Sequence, residues 1–95
     1  MRLEFAREAL ADLDAIYLHG LLEFGPAQAE LYADSLAATI TLICEHPAIA
    51  PLLPNRTDGL RRRSAGVHSI FFTAGTELVR IVRVLHQRMD ADRHV

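Results

Sequence analysis

Several absences narrow what this 95-residue chain can be. It has one cysteine, Cys44, so no disulfide can form within the chain, and the Cys and His clusters of a structural zinc site are missing. No apolar run approaches the roughly 18 to 20 residues that a membrane span requires, and the first residues lack a basic region followed by an apolar run. The sequence therefore predicts a cytoplasmic domain that is held by packing alone, without metal or cofactor.

Motifs of nucleotide binding and of nucleophilic catalysis are also missing. No glycine-rich phosphate loop is present. Cys44 follows Ile43 inside a predicted helix, which favours a core position over a reactive thiol. Asp12 and Asp14 fall on the outer side of another predicted helix, where two carboxylates indicate a solvated face. A catalytic role would have to depend on arginine and histidine.

The composition supports a single packed domain. Hydrophobic residues make up 51% of the chain and charged residues 23%, which is far from the low hydrophobicity of a disordered chain. Domains typically have about 100 to 200 residues, so this length allows one domain and no separate cofactor lobe. We therefore predict one domain over residues 1–95.

Charge is segregated along the chain, and all ten basic residues are arginine. Before Pro47, eight acidic residues and two arginines give a net charge of −6; from Pro47 onward, eight arginines and four acidic residues give +4. Such asymmetry indicates a basic surface for an acidic partner, either nucleic acid or an acidic protein segment. The exclusive use of arginine reflects a GC-rich genome or a preference for bidentate pairing with carboxylate or phosphate.

The first half of the chain predicts a short strand followed by a helical hairpin. Arg2 to Phe5 alternate polar and apolar residues, as a strand does. From about Arg7 to Phe24, apolar residues recur at spacings of three and four, which is typical of one face of an amphipathic helix. A second helix is predicted from about Pro26 to His46, because Gly25 suits the end of one helix and Pro26 the start of the next.

The second half predicts three strands. Residues Pro47 to Gly59 contain three prolines and indicate an irregular connection. Extended segments over Leu60–Ser64, Val67–Thr73 and Glu77–Leu85 are separated by short turns that contain glycine, as in an antiparallel meander. The last of them is apolar on both faces and should be central, whereas the tail Gln87–Val95 has no strong period. The predicted class is α+β: an N-terminal strand and an α-helical hairpin packed on a small antiparallel sheet that ends in a three-strand meander.

Basic residues on the predicted sheet are the candidate binding residues. Arg61, Arg62 and Arg63 would lie on the first strand of the meander, with Arg62 on the opposite face from the other two. Such a strand either grips phosphate or a carboxylate-rich peptide, or it protects a sheet edge against aggregation. The full set of candidates is Arg61, Arg62, Arg63, Arg80, Arg83, His86 and Arg88.

Two histidines are predicted to lie on neighbouring strands. His86 follows the last strand and His68 is on the strand before it. Imidazoles near arginines would permit general acid–base chemistry on RNA, since imidazole titrates near neutral pH. The alternative is a structural role at a strand end. The other histidines have no spacing that suggests metal ligation and are interpreted as isolated surface residues: His19, His46 and His94.

Three local patterns occur in an order that resembles a known family. The first helix carries ADLDAIY over Ala11–Tyr17, and the second ends at Glu45–Pro47. The third pattern joins Gly59–Arg61 to the strand Ser69–Phe72 and to IVRVLHQRMD over Ile81–Asp90. With the order of elements, these patterns resemble the ParE branch of the RelE/ParE superfamily of bacterial toxin–antitoxin toxins across nearly the whole chain.

The resemblance implies the toxin component of a type II toxin–antitoxin system. Such a toxin would inhibit DNA gyrase through its A subunit, block replication and growth, and serve in plasmid stabilisation. The implied partner is a ParD-like antitoxin whose acidic C-terminal segment wraps the toxin in a hetero-oligomer, expected to be a heterotetramer. Direct nucleic-acid binding is not expected in this interpretation.

The resemblance leaves two other functions open. One is a ribosome-dependent mRNA endoribonuclease of RelE type, in which Arg61 and Arg83 would stabilise phosphorane charge and His86 or His68 would move protons. Ribonuclease members use lysines, arginines and often a C-terminal tyrosine. This chain has no lysine, its two tyrosines lie in predicted helices, and Phe72 stands where many relatives have tyrosine, which favours the gyrase inhibitor. The other is an inert member retained only as an antitoxin-binding module.

Overall fold

In the computed structural model, which describes all residues from 1 to 95, a helical hairpin packs on one face of a four-stranded sheet. Each strand of the meander begins and ends one residue later than predicted, and the second helix ends one residue earlier. A short 3₁₀ helix, Pro47–Ile49, follows the hairpin. The other elements are β1 (Arg2–Phe5), α1 (Arg7–Phe24), α2 (Pro26–Glu45), β2 (Arg61–Ala65), β3 (His68–Ala74), β4 (Leu78–His86) and α3 (Ala91–His94).

The strands are ordered β1-β4-β3-β2 across the sheet. The pairs β2–β3 and β3–β4 are antiparallel, which confirms the predicted meander, and β4 has neighbours on both sides as predicted. β1 is the exception to the antiparallel description, because it runs parallel to β4 and pairs only with Leu78–Ile81. The remainder of β4 therefore extends past β1 with one side lacking a strand neighbour.

The main core lies between the hairpin and the sheet. Its largest fully buried side chains come from α2, β3 and β4, and they are Phe72, Ile43, Ile70, Ile81 and Val79. The apolar spacing of α2 turns Leu36 and Ile40 toward the sheet as well, where both are buried. Removal of this apolar surface from water is the main source of stability for a chain without disulfides, at roughly 25 cal/mol per Å².

A smaller core covers the opposite face of the sheet. Leu60, Phe71 and Leu85 are buried there, under Leu53 of the irregular connection and under α3. The helix α3 was not predicted, because one turn is too short to show a period. Asp90 is its N-cap, and the Asp90 side chain accepts a hydrogen bond from the Asp92 N–H. The tail is therefore part of the packed domain.

A β-bulge in β4 changes which side chains share a face. Phe71 is opposite Arg83 and Phe72 is opposite Ile81, so Val82 is the extra residue. Strict alternation along the sequence of β4 predicts that Val84 lies on the opposite face from Ile81, but both belong to the main core. Strict alternation also predicts Arg80 and Arg83 on opposite faces; this prediction is wrong, because the bulge shifts the register by one residue.

No helix of the structure combines the length and the hydropathy that crossing a membrane requires. Cys44 lies on α2 as predicted and is half-buried, and its thiol donates to the Met1 carbonyl oxygen over 3.3 Å.

Candidate functional site

Arg83 lies where β4 extends past β1 and α1 runs beside the strand. Its guanidinium donates to the Asp12 carboxylate at both ends, with Nε–Oδ2 at 2.8 Å and Nη2–Oδ1 at 2.9 Å. The backbone N–H of Val84 donates to the same Oδ2 over 2.9 Å. Asp12 thus takes the place of a neighbouring strand at this edge. The prediction that Asp12 lies on a solvated face was wrong, whereas Asp14 is exposed as predicted.

Arg83 also connects this edge to the C-terminal helix. Its Nη1 donates to the His94 carbonyl oxygen over 3.1 Å. The hydrogen bond with Asp12 raises the pKa of the Arg83 guanidinium above its ordinary value. Arg83 therefore holds α1, β4 and α3 together, and any partner would have to compete with Asp12 for it.

Three further candidate arginines are engaged within the chain. Arg80 forms an ion pair with Glu4, its neighbour on β1, and both side chains are nearly half exposed. Arg61 donates from Nη1 to the Ala50 carbonyl oxygen over 2.6 Å, which fixes the irregular connection against β2. Arg62 donates from Nε to the Ser69 hydroxyl over 2.9 Å.

The side chains of the two other candidate arginines, Arg63 and Arg88, form no ion pair or hydrogen bond within the chain; the Arg88 backbone N–H donates to His86 Nδ1 over 3.2 Å. Arg63 is half-buried beside Ile70 on the hairpin face of β2, and Arg88 is exposed just after β4. The candidates do not form one cluster. Arg61, Arg62 and Arg63 occupy the β2 edge, while Arg80 and Arg83 lie two strands away, about 10 Å across the sheet.

Tyr32 of α2 organises the turn between β2 and β3. Its hydroxyl accepts a hydrogen bond from the Val67 N–H at 3.1 Å and lies 2.6 Å from His68 Nδ1 and 3.2 Å from the Ala65 carbonyl oxygen. Gly66 makes this approach possible, because it has φ +60° and a Cβ there would come within 2.6 Å of the Tyr32 hydroxyl. The sequence signalled the turn through Gly66 but carried no sign of Tyr32 beside it.

His68 and His86 form a cross-strand pair, so the structure brings the two predicted histidines together. Their ring centroids are 5.5 Å apart with the rings nearly perpendicular. Burial lowers the pKa of His68, and the charges of His86 and His19 lower it further. Arg61 is remote from this pair, because it is opposite Phe72, four residues or about 13 Å along β3 from His68.

A groove of about 1040 Å³ runs between the hairpin and the sheet. Most of its lining is apolar, with Ile16, Phe24 and Leu36 from the helices, and the polar cluster of Tyr32 and the histidine pair lies along it. Large apolar side chains near the hairpin turn are also exposed, including Leu22 at 76% and Phe24 at 70%. Apolar surface of this kind is typical of protein interfaces.

The geometry defines a small α+β domain with an apolar groove and an arginine-lined sheet edge. A family model described as "ParE toxin of type II toxin-antitoxin system, parDE" matches residues 3–91. Toxin ParE1 of Caulobacter vibrioides is 42% identical over 90 residues, which is 95% of this chain and 93% of that protein. Toxin ParE1 of Mycobacterium tuberculosis is 36% identical over 88 residues, which is 92% of this chain and 90% of that protein.

A solved structure agrees with these relatives. The chromosomal ParDE toxin–antitoxin system of P. aeruginosa contains a chain with a TM-score of 0.77 and 25% identity, and the match covers 90% of this chain and 95% of that one. The chain therefore belongs to the family of ParE toxins of type II toxin–antitoxin systems. Its family and fold confirm the resemblance seen in the sequence.

Proposed function

We propose that this ParE-family chain arrests growth by inhibiting DNA gyrase and that direct binding of a ParD-like antitoxin neutralises it. The observation that carries the proposal is the apolar groove in a chain whose family model covers residues 3–91. A groove of this kind suits aliphatic and aromatic anchors from a protein partner more than a polyanion. Action on gyrase would place the protein in the cytoplasm.

The proposed antitoxin contact combines the groove with the arginines that have no carboxylate partner. Apolar anchors in the groove would supply affinity, and acidic side chains near Arg63 would supply orientation and association rate. Arg61→Glu is expected to weaken the complex. Since Arg61 also fixes the Ala50 carbonyl, Arg63→Glu is the cleaner variant, and Arg7→Glu on α1 is the charge-matched control.

The test of the cellular target is induced expression with and without the antitoxin. Growth arrest should occur only without it, and the purified chain should reduce supercoiling by gyrase while bulk messenger RNA stays intact. Normal supercoiling at saturating toxin would contradict the gyrase proposal. Equal arrest in the presence of the antitoxin would contradict the neutralisation proposal.

The endoribonuclease remains the second candidate, and three observations count against it. Arg61 is about 13 Å from the histidine pair, Arg83 is held by Asp12, and the groove beside His86 is mainly apolar. Fragmented messenger RNA with normal supercoiling would favour this candidate. In that event His86→Gln should abolish the cleavage.

A further inference from the structure

The strand β1 forms one edge of the sheet, at the opposite end from β2. It pairs with β4 on one side, and no strand lies on its other side. The N–H groups of Arg2 and Ala6 donate to carbonyl oxygens on the β4 side, each over 2.8 Å. Because alternate residues of a strand direct their N–H and C=O to the same side, those of Leu3 point outward from the sheet.

Leu3 is accessible from outside the sheet. Its side chain is 41% exposed, and the flanking residues Arg2 and Glu4 are exposed as well. None of the loop and cap hydrogen bonds uses the backbone groups of Leu3. The edge therefore offers a free donor and a free acceptor to a further strand.

The side chains on either side of Leu3 carry opposite charges and share one face. Glu4 is the register partner of Arg80 on β4 and forms an ion pair with it. Only Oε1 of Glu4 takes part in this contact, and Oε2 accepts no hydrogen bond within the chain. Arg2, two residues earlier on the same face, belongs to none of the ion pairs of the chain. The edge thus presents a free arginine and a carboxylate with one free oxygen.

The order arginine, leucine, glutamate is complementary to itself when two such strands run antiparallel. With Leu3 opposite Leu3 of a second copy, Arg2 of each copy lies opposite Glu4 of the other, as an interface with twofold symmetry requires. These are non-hydrogen-bonded positions of the strand pair, where side chains lie closest together. Opposite charges at such positions stabilise the pair.

Other occupants fit this edge less well. Two copies in parallel register would place Arg2 opposite Arg2 and Glu4 opposite Glu4, and like charges directly opposite each other are destabilising. A strand with charges of one sign would be attracted by one of these residues and repelled by the other. The β2 edge differs, because the consecutive arginines Arg61–Arg63 would repel those of a second β2. The β1 edge is therefore the one that suits a second copy.

We infer that two copies of the chain associate through β1 as an antiparallel strand pair, with a twofold axis at Leu3. The two four-stranded sheets then form one continuous sheet. The Leu3 N–H and C=O of each copy bond those of the other, and Arg2 of each copy pairs with Glu4 of the other. Leu3 and Phe5 also line the apolar groove, so the grooves of the two copies lie beside each other across the axis. The inference does not depend on the proposed antitoxin or on gyrase.

Sedimentation equilibrium of the full chain measures this association. Short strand pairs belong with the weak interfaces, below roughly 1,200 Å², so the wild type is followed up to about 1 mM. Its average mass should rise with concentration toward that of two chains. Arg2→Glu places a glutamate opposite Glu4 at both ends of the pair and should raise the dissociation constant about tenfold. Arg7→Glu, at an exposed arginine of α1, is the charge-matched control and should leave the constant unchanged.

A mixture of two variants tests the geometry of the pair. Glu4→Arg alone places an arginine opposite Arg2 and should also weaken self-association. An equimolar mixture of Arg2→Glu and Glu4→Arg restores opposite charges at both positions, so the mixture should associate about tenfold more tightly than either variant alone. This rescue requires an antiparallel pair in which residues 2 and 4 lie opposite each other.

Hydrogen exchange of the wild-type chain keeps the test decisive if Glu4→Arg, which also loses the ion pair with Arg80, does not fold. The Leu3 amide should exchange more slowly as the chain concentration rises, since it then donates to the second copy. The Glu4 amide faces β4 by the same alternation, so it is the internal control and its exchange should not change.

Several outcomes would overturn the inference. One is a wild type that stays monomeric up to about 1 mM, and another is a mixture that associates no more tightly than its two components. Association of equal strength in Arg2→Glu and Arg7→Glu would assign the contact to another surface, such as the exposed Leu22 and Phe24 near the hairpin turn. Protection of the Leu3 amide only after an antitoxin is added would assign the edge to the antitoxin instead.

Discussion

Arginine has different roles on two strands of the sheet, β4 and β2. Along β4, Arg80 and Arg83 are paired with Glu4 and Asp12 of the acidic first half of the chain. Along β2, three consecutive arginines have no carboxylate partner. In the folded chain, acidic residues of the first half therefore neutralise the arginines of β4, whereas the positive charge of β2 has no carboxylate partner.

Two of the candidate binding residues, Arg83 and Arg63, differ in whether the chain already binds their side chains. Arg83 was predicted as a binding residue, but its bidentate pair with Asp12 and its bond to the His94 carbonyl assign it to the architecture. Arg63 looked no different in the sequence, yet it is the arginine of β2 with no partner of its own. Basic composition alone does not distinguish a structural arginine from one available to a ligand.

Among the variants, Asp12→Ala should lower stability most, because it removes the carboxylate that pairs with Arg83 on β4. It leaves the Arg83 guanidinium and the Val84 N–H unpaired in a site where the two side chains are only 15% and 21% exposed. We expect a loss of about 2 to 3 kcal/mol in the free energy of unfolding, less than for a fully buried pair. Urea denaturation at unchanged m-value measures it.

Two variants control that prediction. Asp12→Asn keeps an acceptor for Val84 and should cost less than Asp12→Ala. Arg80→Ala breaks the exposed pair with Glu4 and should cost about 0.5 kcal/mol or less. Equal losses for Arg80→Ala and Asp12→Ala would show that the two pairs on β4 do not differ as the structure indicates.

Gly66→Ala should have the next largest effect on stability, and it tests the turn that joins β2 to β3. Alanine at φ +60° is strained, and its Cβ would also meet Tyr32 atoms at 2.6 to 3.0 Å. We expect a loss of about 2 kcal/mol in thermal or urea unfolding. Gly59→Ala is the matched control, because Gly59 has φ +75° but open space around it, so only the strain of about 1 kcal/mol remains.

A similar loss in the two glycine variants would mean that the contact with Tyr32 does not restrict the turn. A larger loss in Gly66→Ala, reduced when combined with Tyr32→Ala, would show that the two residues are energetically coupled.

The smallest expected effect is on the pH dependence of stability near His68. Burial lowers the pKa of His68 in the folded chain below its ordinary 6.5, so the unfolded chain binds the proton more tightly. The stability that this site contributes is therefore complete above about pH 6.5 and is lost as the pH falls toward the folded pKa. The facing groups are Tyr32, His19, His86 and Asp12.

The measurement is the urea midpoint of wild type and His68→Gln between about pH 7.5 and 5.5. Both chains share their other titrating groups, so the wild type should lose more stability on acidification than the variant. Parallel pH profiles would contradict the prediction.

Most of the fold could be predicted because the spacing of apolar residues distinguishes a helix from a strand within a short stretch of sequence. The alternation in β1, the spacing of apolar residues in α1 and α2, and the glycine turns between the later strands predicted every element except α3 and the short 3₁₀ helix. The bulge at Val82 could not be predicted, since it depends on how β3 and β4 pack and leaves no local pattern.

The sequence by itself determined the order and type of the elements and the family to which the chain belongs, because these depend on local periodicity and on motifs along the chain. Only the tertiary structure decided which arginines are neutralised. Asp12 and Arg83 are 71 residues apart, and they meet because β1 runs parallel to β4 and ends before Val82. Residues so far apart in the sequence show no spacing pattern. They become neighbours only because α1 packs against the open edge of β4.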